Sequence, residues 1–303
     1  MNKNSIKILF LLPLLFACRE GQVIVIPDND PPAYNAIPLI VIENYINRLY
    51  IDLLGREPLS DEKDNTLALL RAEDLSSSVR DSIVRELQRN TEFIPIDSSY
   101  RRAYAWRQYE LAKERVLEGA SEALIAYRID RMIEKAYEDS LKGDQAGIVF
   151  AREEQAKLEA VQQIPYLLKS DEMQYGYAFE SLVQNYIYDD IHKGTANFID
   201  ASFSDLLGRF PTESEYDNAF QIIEFNIPGF VLGKTCTNKA EYTRVLVQSR
   251  EFAEANIRWA YSNLLSRQPS SEEMLELVEV YFVDQDFEKV QRKIMTSDEY
   301  AQF

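Results

Sequence analysis

A single histidine, His192, stands in 303 residues. A zinc site of His ligands, a metalloprotease helix with paired histidines or a Ser–His–Asp triad would all have to be built on that one side chain. Asp189 and Asp190 lie beside it in "DDIHKG", a spacing that suits a solvated helix end better than a metal centre. Glycine and proline are equally scarce, 10 and 11 residues, so no glycine-rich phosphate loop, dinucleotide fingerprint or Gly-x-Ser-x-Gly elbow is present. Basic residues are the minority charge, 33 against 50 acidic, and the net of −17 would repel nucleic-acid phosphates and anionic headgroups. Acidic pairs abound, yet nothing in the sequence selects one pair for two-carboxylate glycosidase chemistry. The chain is read as no enzyme, with no cofactor and no metal.

What is present begins at the N-terminus. Lys3 and Lys7 precede an apolar run, Ile8–Phe16, too short to span a bilayer and ending in Leu15-Phe16-Ala17-Cys18. These four residues resemble the bacterial lipobox. The resemblance implies a signal peptide over 1–17, cleavage before Cys18 and a lipid (palmitate) on that residue. Arg19, rather than Asp, implies by the enterobacterial sorting rule the outer membrane. The acidic Glu20 points to the cell surface over the periplasmic face. Without Lys3 and Lys7 the mature chain carries 31 basic and 50 acidic residues, a net of −19. With Cys18 lipidated, Cys236 has no disulfide partner and reads as a small buried side chain.

Residues 18–38 hold prolines 27, 31, 32 and 38 and predict an extended tether, in which "VIVIP" suits an edge strand or a segment lying on the body. Asp28 and Asp30 lack the glycine and closing Glu of a calcium loop. From Pro38 the periodicity is helical: Ile42, Tyr45, Ile46, Leu49, Tyr50, Leu53 and Leu54 share one face. The fold class expected is all-α, with helical repeat units over 39–98 and 169–303 flanking a long helical hairpin over 99–168. That hairpin turns at "KGDQAG" (142–147), resumes up to Pro165 and is expected to kink at Gly119. Its aromatics, among them Tyr104, Trp106, Tyr109, Tyr127 and Tyr137, supply core and an interface.

The repeat is carried by "DLLGREPLSDE" (52–62), "DLLGRFPTESE" (205–215) and "NLLSRQPSSEE" (263–273). Aligned on Leu53, Leu206 and Leu264, seven columns agree: an Ile seven residues before, an aromatic three before, two leucines, then Arg, Pro and Glu. Ile, aromatic and leucines make the buried stripe of an incoming helix. Gly55 and Gly208 suit a left-handed C-terminal cap, whereas Ser266 in the third copy predicts a strained or differently shaped one. Pro58, Pro211 and Pro269 end the turn. Arg56, Arg209 and Arg267 lie near the first helix's C-terminus, and Glu62, Glu215 and Glu273 in the next helix's first turn, each favourable to its dipole. Their pairing predicts a structural clamp rather than three ligand sites. A second signature closes each unit, "NTEF" (90–93), "SREF" (249–252) and "SDEY" (297–300), with "SDEM" (170–173) a related fragment. Ser or Asn is expected to cap a new helix while Phe or Tyr packs back on the unit.

The corner and its ending resemble the "LGRxPD…SxEF" helical repeat of secreted bacterial proteins, similar to phycobilisome linker domains. The match covers roughly 43–95 and 180–303; the Asp after Pro and the central Gly-x-x-x-Trp of that family are missing here. The resemblance implies a helical scaffold or adhesion module without established chemistry. The function expected is a non-catalytic scaffold or accessory subunit, membrane-bound through its lipid and docked on an envelope protein such as an outer-membrane barrel or a secretion or assembly component. The alternative is a surface module binding glycan or matrix, for which Trp106, Tyr104 and Tyr109 would have to line an open groove.

Overall fold

A computed structural model describes residues 37–303, so the expected signal peptide, Cys18 and almost all of the expected tether lie outside the described residues. Among the described residues the chain is all-α: fifteen helices and one short β-hairpin. The first unit comprises α1 (Leu39–Leu54), α2 (Ser60–Ala72) and α3 (Ser77–Arg89). The seven apolar residues that the periodicity of α1 aligns are its buried residues. The second unit is α9 (Thr195–Leu207), α10 (Glu213–Phe225) and α11 (Lys239–Val247), the third α12 (Arg250–Leu265), α13 (Ser271–Asp284) and α14 (Phe287–Met295), closed by α15 (Asp298–Ala301). Ile46, Ile199 and Ile257 are all fully buried, as column-fixed residues of a packed stripe must be. Leu264 and Leu265 of the third copy are only partly covered.

Between first and second units the sequence expectation needs correcting. The span 99–168 holds α4 (Tyr100–Val116), α5 (Glu122–Lys142) and α6 (Gln145–Lys169). The kink foreseen at Gly119 is a full break: Glu118 and Gly119 are both left-handed, φ 51° and 70°, and no α-helical ladder continues through such a pair. Ser121 restarts the helix by accepting the Leu124 N–H at 3.2 Å. The hairpin proper is α5–α6, turned at left-handed Gly143, with Gly147 leaving room for the Asp139 carboxylate. Helix α6 also runs through Pro165, whose packing in the core offsets the missing N–H. Helix α4 lies between α1 and α3 on one side and α6 and α7 (Tyr175–Val183) on the other; α8 (Tyr186–Ile191) leads into α9.

A second difference is the antiparallel pair β1 (Gly229–Val231) and β2 (Lys234–Cys236), inserted between α10 and α11, where no strand is expected. Three-residue strands are too short to register as alternation. Units one and three meet directly: Arg48 of α1 donates to the Tyr300 carbonyl at 2.6 Å and the Leu264 carbonyl at 2.7 Å, and Tyr300 Oη donates to Asp52 at 2.7 Å.

Candidate functional site

The three corners carry the same constellation. Gly55 and Gly208 are left-handed, φ 75° and 69°, and Ser266 takes the same conformation, φ 55°. The third cap is therefore not reshaped; a residue with a Cβ is held where glycine is preferred. In each corner the backbone N–H of that residue bonds the carbonyl four residues back, at 3.0–3.1 Å. The arginine one residue on is thus aimed across the turn at the N-terminus of the next helix.

Each guanidinium makes a two-pronged bond to its glutamate: Arg56 to Glu62 at 2.7 and 2.8 Å, Arg209 to Glu215 at 2.8 Å twice, Arg267 to Glu273 at 2.8 and 2.7 Å. The same Nη1 also reaches the carbonyl of the next residue, Glu57, Phe210 or Gln268. The glutamate in turn accepts the N–H of Leu59, Thr212 or Ser270, closing the start of the second helix. Each guanidinium also lies over the aromatic of its own column: Tyr50 at 5.7 Å, Phe203 at 5.1 Å and Tyr261 at 5.1 Å. The aromatic column therefore serves packing and charge together.

The third edge of the fork joins the two sequence signatures. Nε of Arg209 donates to Glu251 at 2.6 Å and Nε of Arg267 to Glu299 at 2.6 Å, the glutamates of "SREF" and "SDEY". Ser249 and Ser297 cap α12 and α15, and Phe252 and Tyr300 are buried. The first unit departs from this. "NTEF" starts no helix, Phe93 is 78% exposed, and Arg56 Nε turns to Asp97 at 2.6 Å, two residues before the true cap, Ser99 of α4. "SDEM" likewise forms a turn, with α7 beginning at Tyr175.

These bonds set the electrostatics. The fork of Arg209 holds Glu215 down at about 2, against the cost of partial burial, and Arg267 holds Glu273 at about 2 likewise. Burial pushes Glu62 up, but bonds from Arg56, the Leu59 N–H and Tyr100 outweigh it and the carboxyl is lowered. Arg267 engages all five of its N–H groups and Arg56 and Arg209 four each, so the guanidinium planes are largely spent inside the clamps.

Other chemistry-bearing residues are placed apart. Asp189 faces Lys239 and Asp190 faces Arg128, while His192 lies against Tyr188, with Nε2 3.8 Å from Asp205. The "DDIHKG" side chains thus diverge, and among the described residues no group of three His, Cys, Asp or Glu is placed to hold a metal. Burial raises Asp205, which accepts the Tyr188 hydroxyl at 2.9 Å. Cys236 is fully buried on β2, and burial pushes its thiol up. Tyr104 and Tyr109 are interior; Trp106 is half-buried, edge-on to Tyr166, beneath the Arg102 guanidinium at 4.8 Å.

Sequence reasoning missed Arg101. Its buried guanidinium reaches Glu288 and Asp171, each at 2.6 Å, and the carbonyls of Gln88, Leu168 and Lys169. One side chain thus ties α3, α4, α14 and the end of α6 together beside a cavity of about 310 Å3. Next to it Tyr104, Gln108 and Gln291 form a buried polar chain, Tyr104 Oη donating to Gln291 and Gln291 to Gln108. No local pattern announces a partner 187 residues away. No family model, no curated protein sequence and no solved structure matches this chain.

Proposed function

We propose that the chain is a lipid-anchored outer-membrane protein, attached through Cys18, that acts as a non-catalytic scaffold or accessory subunit of an envelope protein complex. The anchoring reading rests on "LFAC" at 15–18 and on Arg19; the cell-surface face rests on Glu20. The subunit reading is carried by one observation: clamped corners beside a helical arm that keeps apolar side chains outside. Three forks of a rigid guanidinium fix the angles at which helices meet, which is the requirement of a spacer rather than of a catalyst. Among the described residues, every side-chain hydrogen bond and ion pair of residues 131–159 stays inside the α5–α6 hairpin. Ile133, Tyr137 and Leu141, one turn apart on α5, are exposed.

The alternative, a glycan- or matrix-binding module, keeps Trp106 at the mouth of a groove of about 320 Å3 but has lost Tyr104 and Tyr109 to the interior. The test is mild-detergent capture of the native, lipidated protein followed by mass spectrometry, with Cys18→Ala as control. Stoichiometric recovery with an outer-membrane barrel or a secretion component, lost in the control, supports the subunit. Recovery alone, from folded and lipidated protein, overturns it and favours the glycan module.

A further inference from the structure

The cleft between the second and third helices of a unit is closed differently in each of the three. Twelve and sixteen residues after the corner leucine stand Asn65 and Leu69 in the first unit, Asn218 and Ile222 in the second, Glu276 and Val280 in the third. In the second unit a β-strand fills the cleft. Gly229 of β1 lies so close that a Cβ there would stand 3.2 Å from the Ile222 side chain and 3.5 Å from the Asn218 carbonyl oxygen. Ile222, Val231 and Cys236 are fully buried as a result. In the third unit an ion pair crosses the gap, Lys293 to Glu276 at 2.7 Å, and Val280 is half-covered.

The first unit has neither device among the described residues. Its α2–α3 link, residues 73–76, is too short to send a strand across. Counting back from the ending signature, Glu86 stands where the third unit has Lys293, and Asn65 where it has Glu276, so the pair that would bridge the gap is missing. Leu69 is left 55% exposed where its counterpart Ile222 is wholly covered. Below it lie the buried Val79, Ile83 and Leu87, in an open groove of about 450 Å3 ending at Tyr50 and Tyr100. Asp61 and Glu86 stand on its rim, and Asp61 makes no ion pair among the described residues.

We propose that this groove seats a short extended apolar segment of a partner protein, flanked by basic residues, in the manner in which β1 is seated in the second unit. The shape argument comes from β1: the same two register positions, in the same corner geometry, accept a strand of three residues. The charge argument comes from the rim, whose carboxylates favour a cationic neighbour and disfavour an acidic one. This rests on the subunit reading only in taking the occupant to be a protein; the binding itself is measured without the envelope partner.

The probe is a fluorescein-labelled peptide carrying the sequence of Gly229–Leu232, GFVL, between two lysines, titrated against the full chain by fluorescence anisotropy. A peptide with serines in place of the apolar residues is the control. Saturable binding of the first and none of the second is expected. Leu69→Glu, which puts charge on the exposed wall of the groove, and Ser82→Trp, which fills the groove from an already exposed position, should each weaken binding at least about tenfold while melting with wild type. Undiminished binding by both folded variants, or none by wild type up to about 1 mM, would overturn the proposal. So would a wild-type dimer in sedimentation that Leu69→Glu renders monomeric, since the groove would then belong to a second copy. Failure of the peptide leaves the capture experiment on native protein unaffected.

Discussion

Arg56, Arg209 and Arg267 each spend all three edges of a planar guanidinium, a task no ammonium can repeat. Substituting one tests the clamp, but the cleaner residue-scale test lies beside it. Ser266 holds a left-handed conformation that Gly55 and Gly208 hold without steric cost. Ser266→Gly should therefore stabilise the fold by about 1 kcal/mol and Gly208→Ser destabilise it by a similar amount, read from denaturant midpoints. Two gains or two losses would sink the shared-cap explanation. Acid tests the carboxylates. A group whose folded pKa is lowered stabilises the fold above its unfolded value, and that contribution vanishes as pH falls through the folded one. For Glu215 and Glu273, ordinarily near 4.5 and held at about 2, the window is pH 4.5 to 2. Glu288 and Asp205, raised by burial, act in the opposite sense and favour the fold as pH falls through their raised values. The Glu215→Gln, Glu273→Gln double variant should be weaker at pH 7 yet lose less stability between pH 4.5 and 2 than wild type. Parallel curves would contradict this.

At the scale of elements, the corner was legible and its closure only partly so. Seven columns repeat because the incoming helix, the cap and the next helix's first turn are all local, and local requirements leave residue patterns in sequence order. The arginine's third bond is not local. In two units it goes to the glutamate of the ending signature, but in the first the matching letters "NTEF" sit in a loop and Asp97 takes the role. The shared Glu-Phe pair therefore predicts different energetics in the two endings: Phe252→Ala should cost about 3–5 kcal/mol, whereas Phe93→Ala should fall within about 0.5 kcal/mol of wild type in chemical unfolding. Equal losses would mean that both endings pack alike. The break at 117–121 was half-legible, since Gly119 marked the place but the left-handed Glu118 beside it did not. The β-hairpin over 229–236 and the Arg101 centre were illegible, one for its shortness, the other because its partners lie far along the chain.

Over the whole described molecule, exposed apolar side chains occur in every unit, and α5 carries a run of them one turn apart. The first and third units meet through Arg48 and Tyr300, and α4 lies against units and hairpin alike, whereas α5 leaves a stripe outside. Tyr137 and Leu141 are 65% and 71% exposed there. Replacing both by serine removes no buried contact, so the melting temperature should stay within about 2 °C of wild type. The same variant should lose the envelope partner in capture from native membranes. A large drop in stability would instead give those side chains a packing role in the fold itself. The most direct measurement is photocrosslinking from position 137 in intact cells, with a photoreactive phenylalanine analogue in place of the tyrosine and the anchored chain otherwise unchanged. The account predicts one discrete crosslinked species containing an envelope protein, absent when Cys18 is replaced by alanine. No adduct from position 137, with the variant folded, lipidated and at native abundance, would contradict it.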